Sequence, residues 1–394
     1  MNGKVLIGQS GGPTAVINAS IAGVIDRVRS LSPETPILGM NFAVEGFMEE
    51  KLIELSTLSN PELKRLKETP GSALGSCRYK LQDEDLGPIV EKLKDLDIRY
   101  IFLAGGNDTM DTIHRISAYA EENGYELCGI GIPKTVDNDL YGTDHTPGYG
   151  SAGRYTALSV LQSGQLARDM QRVDRFVIHQ TVGREAGWLA ASAAVAKREE
   201  GDAPHLIYLP ERPITVEKVL SDVQTTVDRY GFCSIVCGEG VLWQDGSPVS
   251  AGTGTDKFAN TEFGAMGGGS AALTLHGLIR ESTGYRGEFQ VTESLSMCAD
   301  DRVGPFDREE AFRCGKEAVN LAADGVNGFM VTMERAAGPD YRIDYGRVPL
   351  HEVAVRAKPM PDEFTNSAGN GVSEAFLNYA RPLIGEMPRY QRLF

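Results

Sequence analysis

Between Lys134 and Asp139 the chain packs a lysine, a threonine and two aspartates into the run Lys134-Thr-Val-Asp-Asn-Asp139. The apolar stretch just before it, Gly129-Ile-Gly-Ile-Pro133, reads as a strand, which puts these groups at a strand's C-terminal end. Together they suit an alcohol and a phosphate. A carboxylate such as Asp137 takes a proton from a hydroxyl nucleophile, and an ammonium such as Lys134 holds phosphate oxygens as a point charge. A solvated turn uses the same residue types, so the run acquires meaning only beside two other segments.

The first is Ile7-Gly-Gln-Ser-Gly-Gly-Pro-Thr-Ala-Val-Ile-Asn18. A strand enters the Gly11-Gly12 turn, and Pro13 stands where a helix would start. Glycines let the backbone approach a phosphate, and a helix N-terminus offers free N–H groups and partial positive charge. No Gly-Lys-Ser/Thr follows, so this is not a Walker loop, and the G-x-G-x-x-G spacing of dinucleotide folds is absent. The second is Phe102-Leu-Ala-Gly-Gly-Asn-Asp-Thr-Met110, where Gly105-Gly106 end a strand and Asn107 and Asp108 put oxygen ligands at a helix start. Such oxygens suit a phosphate-bound Mg²⁺ and equally suit an N-cap; the two roles are compatible. A phosphate cradle, metal oxygens and a general base at three strand ends specify phosphoryl transfer to an alcohol better than any one of them does.

The elements that must position these groups alternate along the chain. Strands are expected at 4–8, 100–104, 127–133, 175–180, 205–209, 232–237 and 328–333. Helices are expected at 14–29, 108–123, 151–170, 185–198, 216–230, 271–281 and 308–323. This alternation predicts an α/β protein with two doubly wound, mostly parallel sheets, helices on both faces, and ligands at the carboxyl ends of the strands. The length of 394 residues predicts two domains with the active site between them. Residues 1–148 are expected to form the first, to which part of the chain after about 300 returns; 149–297 the second; and 298–394 a segment shared between them. From Asp245 onward, Gly252, Gly254 and the Gly264–Gly269 cluster read as an insertion or mobile loop.

A net charge of −15 argues against a general nucleic-acid binder. No signal-peptide core or membrane-length apolar run is present, which predicts a cytoplasmic protein. Six scattered cysteines read as reduced thiols, and Cys233 and Cys237, with no second Cys/His pair at zinc spacing, as buried strand residues.

Taken together, the motifs resemble the phosphofructokinase family over most of the chain. Gly11-Gly12, Gly75-Ser-x-Arg78, Gly105-Gly106-x-Asp-Thr109, Thr135-Val-Asp-Asn-Asp139, Val182-Gly-Arg-Glu-Ala-Gly-Trp188 and Gly238-Glu-Gly240 match in order and approximate spacing. The resemblance implies transfer of a phosphoryl group to the C1 hydroxyl of fructose 6-phosphate with Mg²⁺, in a homodimer or homotetramer. It also speaks to the donor. ATP-using members usually carry glycine at the positions of Asp108 and Lys134, whereas the pyrophosphate-using branch carries Asp and Lys, which implies pyrophosphate and a reaction usable in both directions. Asp137 would be the general base, with Lys134 on the donor phosphates and Arg78 beside the transferring group. Gly11, Gly12, Gly106 and Asp108 would bind the donor, and Asn107 and Asp108 the metal. Thr135 and Asp139 would orient the acceptor. Val182, Gly183 and Arg184 would hold the sugar phosphate, Arg175 would reach it from a neighbouring subunit, and Glu239 would bond sugar hydroxyls.

Two departures stand out. The family commonly has Asp where this chain has Asn107. It also ends its sugar site with a Gln-Arg pair, where this chain reads Glu293-Ser-Leu-Ser-Met-Cys298; Tyr285 and Arg286 upstream are the substitutes the sequence offers. The competing readings are an ATP-dependent enzyme, against which Asp108 and Lys134 argue, and an inactive sugar-phosphate-binding homologue, against which Asp137 argues. A dehydrogenase fails for want of a dinucleotide fingerprint.

Overall fold

The computed structural model describes residues 2–250, 267–338 and 340–393, and between 251 and 266 only the backbone of 254–255 and 261–262. The glycine-rich stretch expected to be an insertion or mobile loop therefore lies largely outside the described residues. Among the described residues thirteen strands run in chain order: β1 (Lys4–Gln9), β2 (Ile37–Met40), β3 (Leu52–Glu54), β4 (Ile98–Gly105), β5 (Cys128–Pro133), β6 (Phe176–Thr181), β7 (Leu206–Tyr208), β8 (Cys233–Gly238), β9 (Gly254–Thr255), β10 (Thr261–Glu262), β11 (Gly287–Val291), β12 (Phe329–Arg335) and β13 (Ile343–Pro349). The chain divides into two compact units, Met1–Tyr149 with Phe306–Lys358, and Gly150–Pro305 with Pro359–Phe394.

In the first unit, alternation along the strands decides the layering. β1 sends Val5 and Ile7 to one face of a seven-stranded sheet and Leu6 to the other, and β4 does the same with Phe102 and Ala104 against Ile101 and Leu103. Both faces are therefore apolar and both are covered. Helices Ile17–Leu31 and Asp307–Ala323 lie on the Val5 side, and Asp83–Asp95 and Asn107–Glu122 on the Leu6 side. The order is β13-β12-β5-β4-β1-β2-β3, parallel from β12 to β2 with an antiparallel strand at each edge. The chain builds outward from β1 first toward β2, then toward β4 and β5. The switch point falls between β1 and β4, where a crevice opens at the strands' carboxyl ends.

The second unit has a four-stranded parallel sheet in the order β11-β6-β8-β7. Its core sets Phe176 and Ile178 of β6 against Val219, Val223 and Val227 of helix Val216–Tyr230 and Leu275 and Ile279 of helix Ala271–Thr283. All six cysteines are free thiols, and Cys233 and Cys237 are buried in β8. Among the described residues no helix is long and apolar enough to cross a membrane.

Two helix expectations need correction. The first helix begins at Ile17, not at Thr14, so Pro13 lies outside it. The Thr14 carbonyl accepts from Gly71 N and the Thr14 hydroxyl from Val16 N, and both bonds hold this stretch non-helical. The helix expected over 185–198 shrinks to Trp188–Ser192 with a 3₁₀ turn at Ala193–Ala196. The residues before it stay in a loop because Glu239 and Glu211 accept the backbone N–H groups of Gly183 and Gly187.

The helix Asp307–Ala323 crosses Ile17–Leu31 through glycines. A Cβ on Gly315 would stand 2.0 Å from the Ser20 carbonyl oxygen, and one on Gly23 2.0 Å from that of Phe312. Both obstacles are backbone, so neither can swing aside. Gly315→Val should therefore lower stability by about 3 kcal/mol, read from the denaturant midpoint, and Gly23→Val should do the same.

Candidate active site

Register brings three chemical segments side by side. In the parallel ladder Gln9 pairs with Ala104 and Gly105 with Pro133, so β1, β4 and β5 end at one level. The turns that leave them, at Ser10–Gly12, Gly106–Asp108 and Lys134–Asp139, must be neighbours at the switch point.

Hydrogen bonds then tie these turns to one another. Gly11, at φ +76°, adopts a conformation that favours glycine; its N–H donates to Cys77 O (3.1 Å), and its carbonyl accepts from the Ser76 hydroxyl (2.6 Å). Lys134 N donates to Gly105 O (3.1 Å), and its ammonium donates to Gly12 O (2.7 Å). The ammonium thus spans from the third turn to the first, across the second. Only 3 % of Lys134 is exposed. Burial pushes its pKa down to about 8, against the pull of Asp137 and Asp139 and with the repulsion of Arg78. Those electrostatic partners place Asp137, Asp139 and Arg78 around one ammonium. Arg78 is exposed, and its guanidinium has no hydrogen bond or ion pair among the described residues, a state suited to an incoming anion.

The acidic turn is shaped locally. Asp137 N donates to the Thr135 hydroxyl (3.1 Å), and Thr135 bridges to Gly148. Asn138 sits in the left-handed region at φ +58° and is buried, reversing the chain between the two aspartates. Such a conformation suits Asn among non-glycine residues.

At the second turn the helix Asn107–Glu122 is capped by Gly106; Asn107 and Asp108 are its first two residues, not its cap. Asn107 Oδ1 is buried without a hydrogen-bond partner, whereas Asp108 is exposed. An orphaned amide oxygen beside an exposed carboxylate, both at a helix N-terminus on the phosphate turn, fits a Mg²⁺ that arrives with phosphate oxygens and keeps several waters. Among the described residues no cluster of three His, Cys, Asp or Glu forms a protein-only cage.

In the second unit four of the residues expected to hold the sugar phosphate gather at the carboxyl end of its sheet. Val182, Gly183 and Arg184 follow β6, and Glu239 follows β8. Glu239 is 7 % exposed and accepts from Gly183 N (3.2 Å), while Gly240 N donates to Gly183 O (3.3 Å). Gly240 is required by contact, since a Cβ there would lie 1.7 Å from Arg184 O. The Arg184 guanidinium, half-buried, has no partner among the described residues. At the end of β11, where the family carries Gln-Arg, the buried Glu293 carboxylate accepts a bond from the Gln180 side chain.

Arg175, Tyr285 and Arg286 do not join this group. They precede β6 and β11 and so lie at the opposite end of the sheet. Arg175 N donates to Arg286 O (2.7 Å), the Arg175 guanidinium stands 5.7 Å from the Tyr285 ring centre, and Arg286 pairs with Asp174 (2.9 Å). β6 has six residues, so about 20 Å separates its ends. Tyr285 and Arg286 therefore cannot replace the missing arginine within one chain. The sequence expectation failed because it read nearness along the chain as nearness in space, although a whole strand intervenes. Sequence reasoning also overlooked Gln180, which partners Glu293, and Lys358, which reaches the acidic turn; neither carries a local motif.

Residues 4–322 match the phosphofructokinase family, described as "Phosphofructokinase". The chain is 38 % identical over 395 residues to the pyrophosphate–fructose 6-phosphate 1-phosphotransferase of Xanthomonas campestris pv. campestris strain B100, covering 98 % of this chain and 93 % of that one. It is 33 % identical over 356 residues to the sulfofructose kinase of Alkalicoccus urumqiensis, covering 89 % of this chain and 88 % of that one. The crystal structure of the pyrophosphate-dependent phosphofructokinase from Marinobacter aquaeolei has a TM-score of 0.88 and 34 % identity, covering 98 % of this chain and 94 % of that one. The chain belongs to the phosphofructokinase family, and its fold is the one those proteins share.

The buried ammonium yields a prediction that needs no turnover. With inorganic pyrophosphate as a probe, Lys134→Met should weaken binding about tenfold or more by calorimetry, the worth of one charge-assisted contact. A lysine with a pKa near 8 is cationic below that pH and neutral above it, so wild-type affinity should fall as pH rises through about 8. The Met variant should show none of that dependence.

Proposed function

We propose that the protein catalyses reversible phosphoryl transfer from pyrophosphate to the C1 hydroxyl of fructose 6-phosphate, giving fructose 1,6-bisphosphate and phosphate. The observation that carries this reading is Lys134. Its ammonium lies across the Gly11–Gly12 turn, 3.2 Å from where a Gly11 Cβ would stand, and fills the donor side with a buried cation. With Asp108 exposed at the next turn, this arrangement suits a compact, doubly ended phosphate better than a nucleotide.

Each residue then has a task. The backbone of the glycine turns and Lys134 hold the donor, and Arg78 faces the transferring group. Asp137 takes the proton of the C1 hydroxyl as that oxygen attacks phosphorus, and the leaving phosphate departs opposite. Thr135 and Asp139 orient the acceptor; Glu239 bonds its hydroxyls; Val182, Gly183 and Arg184 hold its 6-phosphate. Mg²⁺, when bound through Asn107, Asp108 and water, supplies neutralising charge on the phosphates. Since Arg175 lies at the far end of β6 from Arg184, its contribution to a sugar-phosphate site comes from a second copy of the chain. That reading goes with a homodimer or homotetramer working in the cytoplasm.

A second acceptor is favoured by one observation. Where related kinases carry an arginine near the C6 acid, this chain has the buried, Gln180-bonded Glu293. Loss of a positive charge there costs a phosphate, close to a dianion at neutral pH, more than it costs a singly charged sulfonate. An acceptor of the sulfofructose type, as in the Alkalicoccus relative's name, is therefore the alternative substrate.

The test is initial rate with pyrophosphate or ATP as donor and fructose 6-phosphate or 6-deoxy-6-sulfofructose as acceptor. Pyrophosphate should support turnover and ATP little or none; efficient ATP use without pyrophosphate use overturns the donor reading. Higher kcat/KM with the sulfonate would select the second acceptor. Asp137→Asn should lower kcat by about 10²–10⁴ with little change in KM, as loss of a general base does. In a Mg²⁺ titration, Asn107→Asp should lower the concentration needed for half-maximal rate, because a carboxylate is the stronger ligand.

A further inference from the structure

The Asn138–Asp144 turn is held by a charged residue to which the transfer chemistry gives no role. Lys358 is the last residue of the segment that returns to the first unit. Its backbone N–H donates to Asp139 O (2.6 Å), and its neighbour Ala357 forms an antiparallel bridge with Leu140. Its ammonium donates to Asp144 O (2.8 Å), to Thr143 O (3.1 Å) and, more weakly, to Asn138 Oδ1 (3.5 Å). One side chain thus grips both limbs of the turn that follows Asp137.

The residue it grips sits at the tight point of the turn. Asn138 is a buried non-glycine residue at φ +58°, and the same Oδ1 accepts from Thr146 N (3.1 Å). Beyond the turn, Asp144 is anchored separately by Arg335 (2.9 Å) and by His145 (2.8 Å), whose other ring nitrogen meets Glu310 (2.8 Å). Tyr341 donates to Glu310 (2.6 Å). The Asp144 limb has anchors of its own from the returning segment, and Lys358 joins it to the limb that carries Asp139.

We propose that Lys358 is a positioning residue for phosphoryl transfer, clamping the Asn138–Asp144 turn so that Asp137 and Asp139 stay beside Lys134. The proposal rests on Asp137 being the general base. A buried cation that donates to two carbonyl oxygens and an amide oxygen and lies near Asp139 and Asp144 has the chemistry to fix a loop rather than to take a substrate. Because near-attack geometry is lost within about 1 Å, a loosened clamp should slow the chemical step more than it weakens binding.

The experiment uses the full chain and steady-state kinetics with pyrophosphate. Lys358→Met keeps the apolar stem and removes the donors. It should lower kcat by about tenfold to a hundredfold while both KM values, and pyrophosphate affinity by calorimetry, stay within about threefold. Val28→Ala, in the core of helix Ile17–Leu31, serves as the control for lost stability and should leave kcat at the wild-type value. If Lys358→Met does not fold, Lys358→Gln is held to the same criteria. A kcat within twofold of wild type overturns the proposal, as does a loss carried wholly by KM. Asp137→Asn measured alongside separates the two failures: an active Asn variant removes the base assignment itself, whereas an inactive one with a fully active Lys358 variant removes only the clamp.

Discussion

One buried contact organises the donor half of this protein, the hydrogen bond from the Lys134 ammonium to the Gly12 carbonyl. It joins the turn after β5 to the turn after β1 across the turn after β4, to which Lys134 is also tied by its backbone N–H on Gly105 O. The contact costs the ammonium its hydration, and burial accordingly pushes its pKa down to about 8. Asp137 and Asp139 offset part of that cost, so these carboxylates help keep the cation charged near neutral pH. On the proposed function, a phosphate arriving at the cradle would complete the neutralisation and couple donor binding to the charge state of one side chain.

The acidic turn depends on a second constraint, the return of the chain at Phe306. That segment supplies β12 and β13 to the sheet, the glycine-crossed helix against Ile17–Leu31, and the groups that hold the 135–148 loop. Gly148 N donates to Asp307 (2.8 Å), His145 meets Glu310, and Lys358 takes the turn itself. Residues more than 150 positions away along the chain therefore set where Asp137 points. A left-handed, buried Asn138 persists because these contacts over-determine it.

Much of this was legible in the sequence. The strands at β1, β4, β5, β6 and β8 announced themselves as apolar runs ending in glycine or charged turns, and the helix 216–230 was found at its full extent because Thr215 caps it and Gly231 ends it. What stayed hidden had weaker local signals. β11 is half-buried at every position and β13 alternates imperfectly at an edge, so neither shows the apolar run of a central strand. Pro13 marked a helix start that tertiary hydrogen bonds deferred to Ile17. Tyr285 and Arg286 looked adjacent to Glu293 only because the strand between them went unseen. Lys358 carried no signal at all: an isolated lysine before Pro359 gains meaning only once the turn it holds is folded around it.

The donor side depends on a lysine that is buried and cationic near neutral pH. The direct measurement is a pH titration of the Lys134 side chain by NMR on protein labelled with ¹³C at lysine Cε, assigned by loss of its signal in Lys134→Met. The titration is recorded with and without pyrophosphate. The account predicts a midpoint near 8 in the free protein and a shift to higher pH when pyrophosphate binds, since the anion stabilises the charged form. A midpoint near the ordinary lysine value of about 10.4 that pyrophosphate leaves unmoved would contradict it.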